Sequence, residues 1–198
     1  MRALILLNLQ TDYLPGGALS LPGSESLVDL SNELLARFDL AAAVIDWHPA
    51  DHVSFAANHP WRKPGQLLLR EEGDQLLWPM HCVQHSFGAA LAPRLDHTAI
   101  DQVFHKGTER EWDSHSGFWD DGRQKSTGLL EFLRQHDVHE LYLAGMVTEY
   151  DVRQTALDAL SLGFEVKVIG KACCGMDLRP GQAAEALEEL RERGVGVD

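Results

Sequence analysis

The chain has 198 residues, 44% of them hydrophobic, a length for one domain with a sizeable core. Asp and Glu number 30 against 17 Lys and Arg, and the resulting formal charge of −13 repels phosphate backbones and anionic headgroups, so neither nucleic acid nor membrane is expected as a partner. The three cysteines, Cys82, Cys173 and Cys174, are an odd count with two adjacent, which is no disulfide framework and points to a reducing, cytoplasmic setting, and the absence of a C-x-x-C pattern argues against a thiolate zinc site.

The first apolar run, residues 3–7, is too short to span a bilayer and lacks the small-residue cleavage site of a signal peptide, so it reads as a strand. Residues 26–38 place Leu27, Leu30, Leu34 and Leu35 at helical spacing. A second strand is expected at 41–45, a third at 102–104, a fourth at 141–144 and a fifth at 166–169, all nearly continuous in apolar residues, as in parallel sheets covered on both faces. Between and after them, residues 127–135, 152–162 and 181–193 read as amphipathic helices, the last with Ala184, Leu187 and Leu190 on one face. This alternation predicts a three-layer α/β sandwich with a mostly parallel sheet, one domain over 1–198. Two long segments, 47–95 and 107–125, interrupt it. Each follows the C-terminal end of a strand, where open α/β sheets place their ligands, so the functional site is expected there.

The first of these segments is introduced by Asp46-Trp47-His48-Pro49-Ala50-Asp51-His52. A carboxylate and two imidazoles at a strand end suit a first-row divalent metal. His81, in Trp78-Pro79-Met80-His81-Cys82, is placed to fold back and complete a site of three protein ligands. His52 is either a fourth ligand or a group behind the ligands that orients them. His59 and His85 are read as surface residues.

Those motifs, followed by His105-Lys106-Gly107, resemble the nicotinamidases of the isochorismatase-like hydrolase superfamily. Leu9-Gln10-Thr11-Asp12-Tyr13, Asp113-Ser114-x-Ser116-Gly117-Phe118 and Gly145-Met146-Val147-Thr148-Glu149-Tyr150 continue the resemblance in order along nearly the whole chain. It implies the Rossmann-like isochorismatase fold, an ion on Asp46, His48 and His81 (zinc first, iron or manganese otherwise), and a small nicotinamide-like ligand between Tyr13 and Trp78. It also implies pocket roles for Val147 and Tyr150, a cis peptide near Met146–Val147, and an oxyanion hole from the N–H groups of Val147 and residue 151. Homo-oligomers are common among such proteins.

The resemblance implies amide hydrolysis by a Cys–Asp–Lys triad, of which this sequence keeps Lys106. Asn8 stands where the family has its Asp, and Asp151 where it has its Cys. A neutral amide accepts no proton at physiological pH, and a carboxylate is a poor nucleophile toward an amide. Thr148-Glu149-Tyr150-Asp151 also matches a capping box, with Thr148 as N-cap and Asp151 reaching back to its N–H. The exchange of a carboxylate from 8 to 151 is expected to leave Lys106 one anionic neighbour. The expectation is thus a ligand-binding pocket with little amidase activity; the alternative is an active hydrolase of nicotinamide or a related amide that uses Asp151 and a water on the metal.

Overall fold

A computed structural model describes residues 1–71 and 73–198; Glu72, within the first long segment, lies outside the described residues. In chain order the elements are β1 (Arg2–Leu7), α1 (Glu25–Leu35), β2 (Ala41–Asp46), β3 (Leu67–Leu68), β4 (Gln75–Leu76), β5 (Gln102–Lys106), α2 (Leu129–Gln135), β6 (Glu140–Met146), α3 (Arg153–Ser161), β7 (Glu165–Cys174), α4 (Gln182–Glu192) and β8 (Gly196–Val197). Among the described residues, six strands make one sheet in the order β5-β2-β1-β6-β7-β8, every neighbour parallel. β3 and β4 pair separately and antiparallel.

The central strand shows why the apolar runs are continuous. Successive side chains of a strand point to opposite faces. Ala3, Ile5 and Leu7 of β1 meet Leu129 and Leu133 of α2, Ala156 and Ala159 of α3 and Leu190 of α4. Leu4 and Leu6 meet Leu27, Val28, Leu34 and Leu35 of α1 on the other face. Helices therefore cover both faces, and β1 has no water-facing side on which a polar residue is tolerated. Each fully buried Leu or Ile contributes about 1.5–3 kcal/mol relative to exposure.

Two boundaries differ from expectation in ways that matter for the site. β2 closes on Asp46 as expected, but β5 extends to Lys106, so both polar residues are register partners inside the sheet. β7 runs on to Cys174, with a register shift opposite Leu143 and Gly145. The two-residue strands β3, β4 and β8 are too short to carry any periodicity. Gly145, at φ +122°, is pressed against the neighbouring strand: a Cβ there would run into the Leu7 carbonyl. That contact brings the ends of β1 and β6 close together at the edge where the site lies.

Candidate active site

Asp46 is fixed from several sides. Its backbone N–H donates to Gln10 Oε1 at 2.8 Å and its carbonyl accepts from Gln10 Nε2 at 2.7 Å. The Tyr13 hydroxyl donates to Oδ2 at 2.5 Å, and the Lys106 ammonium bonds Oδ1. His48 follows two residues on, its N–H bonded to the Cys82 carbonyl at 3.0 Å. Its Nδ1 lies 2.8 Å from the Gly107 carbonyl, which requires a proton on that nitrogen and leaves Nε2 as an acceptor. His81 is held the same way, with Nδ1 2.9 Å from the Pro79 carbonyl. Gly107, at φ +61°, sits so close under the His48 ring that a Cβ would collide with it.

The three side chains are buried, and one ligand atom from each lies within 4.8 Å of the others. A carboxylate with two imidazoles, each oriented by a backbone carbonyl, fits a first-row divalent ion. The charge states fit as well. Burial pushes the His48 pKa down to about 3 against the pull of Asp46, so the ring is neutral at physiological pH. Burial alone raises Asp46, but Lys106, His48 and His81 outweigh it and bring the carboxyl to about 2.

His52 does not join this group. Its Nδ1 lies 2.8 Å from Ser54 Oγ and its Nε2 3.0 Å from the Trp112 carbonyl, so neither nitrogen is left to ligate. The ring packs 4.3 Å from that of His48, behind the ligands. His59 is half-buried, with Nε2 2.7 Å from the Val53 carbonyl, where a surface position was expected. His85 is exposed, edge-on to Trp47.

Lys106 has two anionic neighbours, one more than expected. Its Nζ bonds Asp46, lies 2.6 Å from Asp151 Oδ1, and donates to the Ser114 carbonyl at 2.7 Å. The second neighbour follows from the sheet: Asp46 and Lys106 face each other across β2 and β5, so their side chains leave the same face together. Burial works against the ammonium, yet Asp151 and Asp46 raise its pKa. Burial raises the Asp151 pKa more than Lys106 lowers it.

Asp151 also accepts from the Val147 N–H through Oδ2 at 3.1 Å. The capping bond thus reaches one residue further back than expected. The helix entry is a π-helical turn, Thr148–Val152, with Val147 as N-cap, and the wider turn carries residue 151 past the Thr148 N–H. The Met146–Val147 peptide is cis. Asn8 is fully buried at φ +52°, a conformation Asn tolerates, and neither atom of its side-chain amide has a hydrogen-bond partner among the described residues.

Tyr13, Trp78, Val147 and Tyr150 line the same pocket as the metal group, Lys106 and Asp151. It holds about 330 Å³, part of it open solvent. Trp78 meets Tyr150 edge-on at 5.5 Å, and Tyr150 in turn lies 5.6 Å from the ring of His115.

The Isochorismatase domain family matches residues 2–197. The chain belongs to the isochorismatase family. A nicotinamidase of Escherichia coli (strain K12) is 44% identical over 201 residues, covering 98% of this chain and 92% of its own. A solved nicotinamidase/pyrazinamidase of Acinetobacter baumanii superposes with a TM-score of 0.94 at 34% identity, over 99% of this chain and 94% of that one. A pyrazinamidase of Pyrococcus horikoshii, solved in complex with zinc, superposes with a TM-score of 0.81 at 35% identity, over 100% and 98%.

In this isochorismatase-family chain several residues in and around the pocket fall within the quoted motifs, but nothing in the sequence alone assigns them a role. Asp12 accepts from the N–H groups of Ala18 and, at 2.7 Å, Cys82, which pins the loop bearing His81. Asp113 accepts from Gln75 Nε2 at 2.8 Å. His115 is the unspecified position of the Asp113-Ser114-x-Ser116 motif, so spacing located its loop but gave no reason to single it out.

Proposed function

We propose that this protein is a metal-dependent hydrolase of nicotinamide or a related small aromatic amide, with Asp151 as the base. The observation that carries the reading is that Asp46, His48 and His81 line one pocket with the Lys106–Asp151 pair, Tyr13 and Trp78. The likeness to the E. coli nicotinamidase supports the substrate class, and the zinc in the P. horikoshii relative supports zinc as the ion. Asp46, His48 and His81 would hold that ion, which supplies Lewis acidity and a lowered pKa for bound water.

The chain's own residues do the rest. Tyr13 and Trp78 take the two faces of the aromatic ring. Asp151, made more basic by burial, accepts a proton from water as the oxygen attacks the carbonyl carbon. Lys106 holds Asp151 in place and opposes the rise in its pKa that burial causes. Breaking the C–N bond returns that proton to the leaving nitrogen, giving ammonia and the carboxylic acid.

A second reading, a protein that holds such a ligand without turning it over, rests on the triad positions implied by the resemblance. Asn8 cannot serve as a base, and both oxygens of Asp151 are already engaged. One experiment separates the two. Metal-analysed protein is titrated calorimetrically with nicotinamide, and ammonia is followed in the same samples. Ammonia release that stops on chelation supports hydrolysis; binding without ammonia refutes it in favour of the second reading.

A further inference from the structure

The pocket offers a substrate fewer free donors than its lining suggests. Lys106 already bonds Asp46, Asp151 and the Ser114 carbonyl. The Tyr13 hydroxyl is bonded to Asp46, and His48 and His81 each have Nδ1 against a backbone carbonyl. The Val147 N–H, one of the two groups the family resemblance assigns to an oxyanion, is held by Asp151 Oδ2. A carbonyl oxygen that gains negative charge needs donors aimed at it, and with the Val147 N–H taken there is room for a donor from elsewhere in the lining beside the N–H of residue 151.

His115 is placed to supply it. Its Nδ1 pairs with Asp121 Oδ2 at 2.7 Å, and its backbone N–H donates to Asp121 Oδ1 at 3.0 Å, so one carboxylate clamps the residue at two points. Asp121 lines the neighbouring cleft and not this pocket, whereas His115 lines both. Nε2 is the ring nitrogen with no hydrogen-bond partner among the described residues. The ring lies against Tyr150, tilted 35° from its plane.

The charges around the ring favour its protonated form. Burial opposes that form, but Asp113, Asp121 and Asp151 outweigh it and hold the pKa up to about 10. Asp120 and Glu149 add negative charge in the neighbouring cleft, where Arg123 is paired with Asp158 and Arg153 with Glu189. Both ring nitrogens therefore carry protons at neutral pH.

We propose that His115, clamped by Asp121, donates through Nε2 to the carbonyl oxygen of the bound amide. It thereby selects ligands with an acceptor at that end and stabilises charge on that oxygen during hydrolysis. The inference rests on the amide reading of the pocket, and its test separates the two.

Zinc-loaded wild type, His115→Ala and His115→Gln are titrated with nicotinamide and with pyridine, which keeps the ring nitrogen but has no carbonyl. A hydrogen bond from a charged donor predicts that His115→Ala weakens nicotinamide about 10-fold or more while leaving pyridine within about 2-fold. His115→Gln keeps a neutral donor and falls between. Zinc content and circular dichroism establish that each variant is folded; if the alanine variant is not, the glutamine variant alone carries the comparison. An equal loss for both ligands, or no loss for either, overturns the role of His115 and leaves the amide reading standing. Wild type that binds neither ligand overturns both.

Discussion

Lys106→Met probes the charge balance on which the site is built. Its ammonium is the shared cation of Asp46 and Asp151, and all three groups are buried. Methionine fills similar volume but leaves two carboxylates out of water with no counter-charge. Removing one partner of a buried ion pair costs about 3–5 kcal/mol. For a chain of this length each kcal/mol moves the melting temperature by about 2–4 °C, so a fall of about 6–20 °C is expected at pH 7 in chelator. Zinc gives Asp46 a second cation, so the loss should shrink when metal is restored. The pH dependence adds a sign. An unpaired Asp151 has a carboxyl pKa above its unfolded value, so its stability contribution is present at low pH and lost as pH rises. The gap between variant and wild type should therefore narrow from pH 7 to pH 5. Thermal unfolding followed by circular dichroism measures all three effects. A melting temperature within about 4 °C of wild type in chelator would show that Lys106 is not the shared cation.

Three further outcomes follow from the geometry. Asp12→Ala frees the Cys82 N–H beside His81 and should weaken zinc binding about 10-fold or more, read by competition with a chromogenic chelator; unchanged affinity would mean the loop holds its own shape. Stability without metal should fall on both sides of neutrality. His48, lowered to about 3, is lost as pH falls below its unfolded value near 6.5, and His115, raised to about 10, is lost as pH rises from 6.5 toward 10. Urea midpoints across that range test this, and His115→Gln should flatten the alkaline limb alone. Asn8→Asp with Asp151→Cys rebuilds the triad implied by the resemblance and should give chelator-sensitive ammonia release that an alkylating reagent abolishes; a metal-bound but inactive double variant would show that the pocket geometry differs from that of the thiol enzymes.

The layers of the fold are legible because each depends on local pattern. The buried runs of β1 and β2 and the leucine spacing of α1 mark elements from their own residues. The metal group is partly legible for the same reason, since Asp46 and His48 lie two residues apart at a strand end. What sequence does not carry is distance across the chain. The Asp46–Lys106 contact exists because β2 and β5 pair in one particular register. His52 sits beside His48 in sequence as convincingly as a ligand would, and only the positions of Ser54 and the Trp112 carbonyl remove it. The π-helical entry to α3 moves the Asp151 bond from the Thr148 N–H to the Val147 N–H, a shift that no capping pattern encodes. His115 has no motif of its own, and its position depends on a carboxylate six residues away.

The account stands or falls on Asp151 as the base of a metal-dependent hydrolysis. The most direct measurement is ammonia release from nicotinamide by the zinc-loaded protein and by Asp151→Asn, at matched zinc content. Asparagine keeps the shape and accepts no proton, so the account predicts release by wild type and a loss of about 100-fold or more in the variant. Equal rates in the two proteins, or no release by wild type at full zinc occupancy, would contradict it.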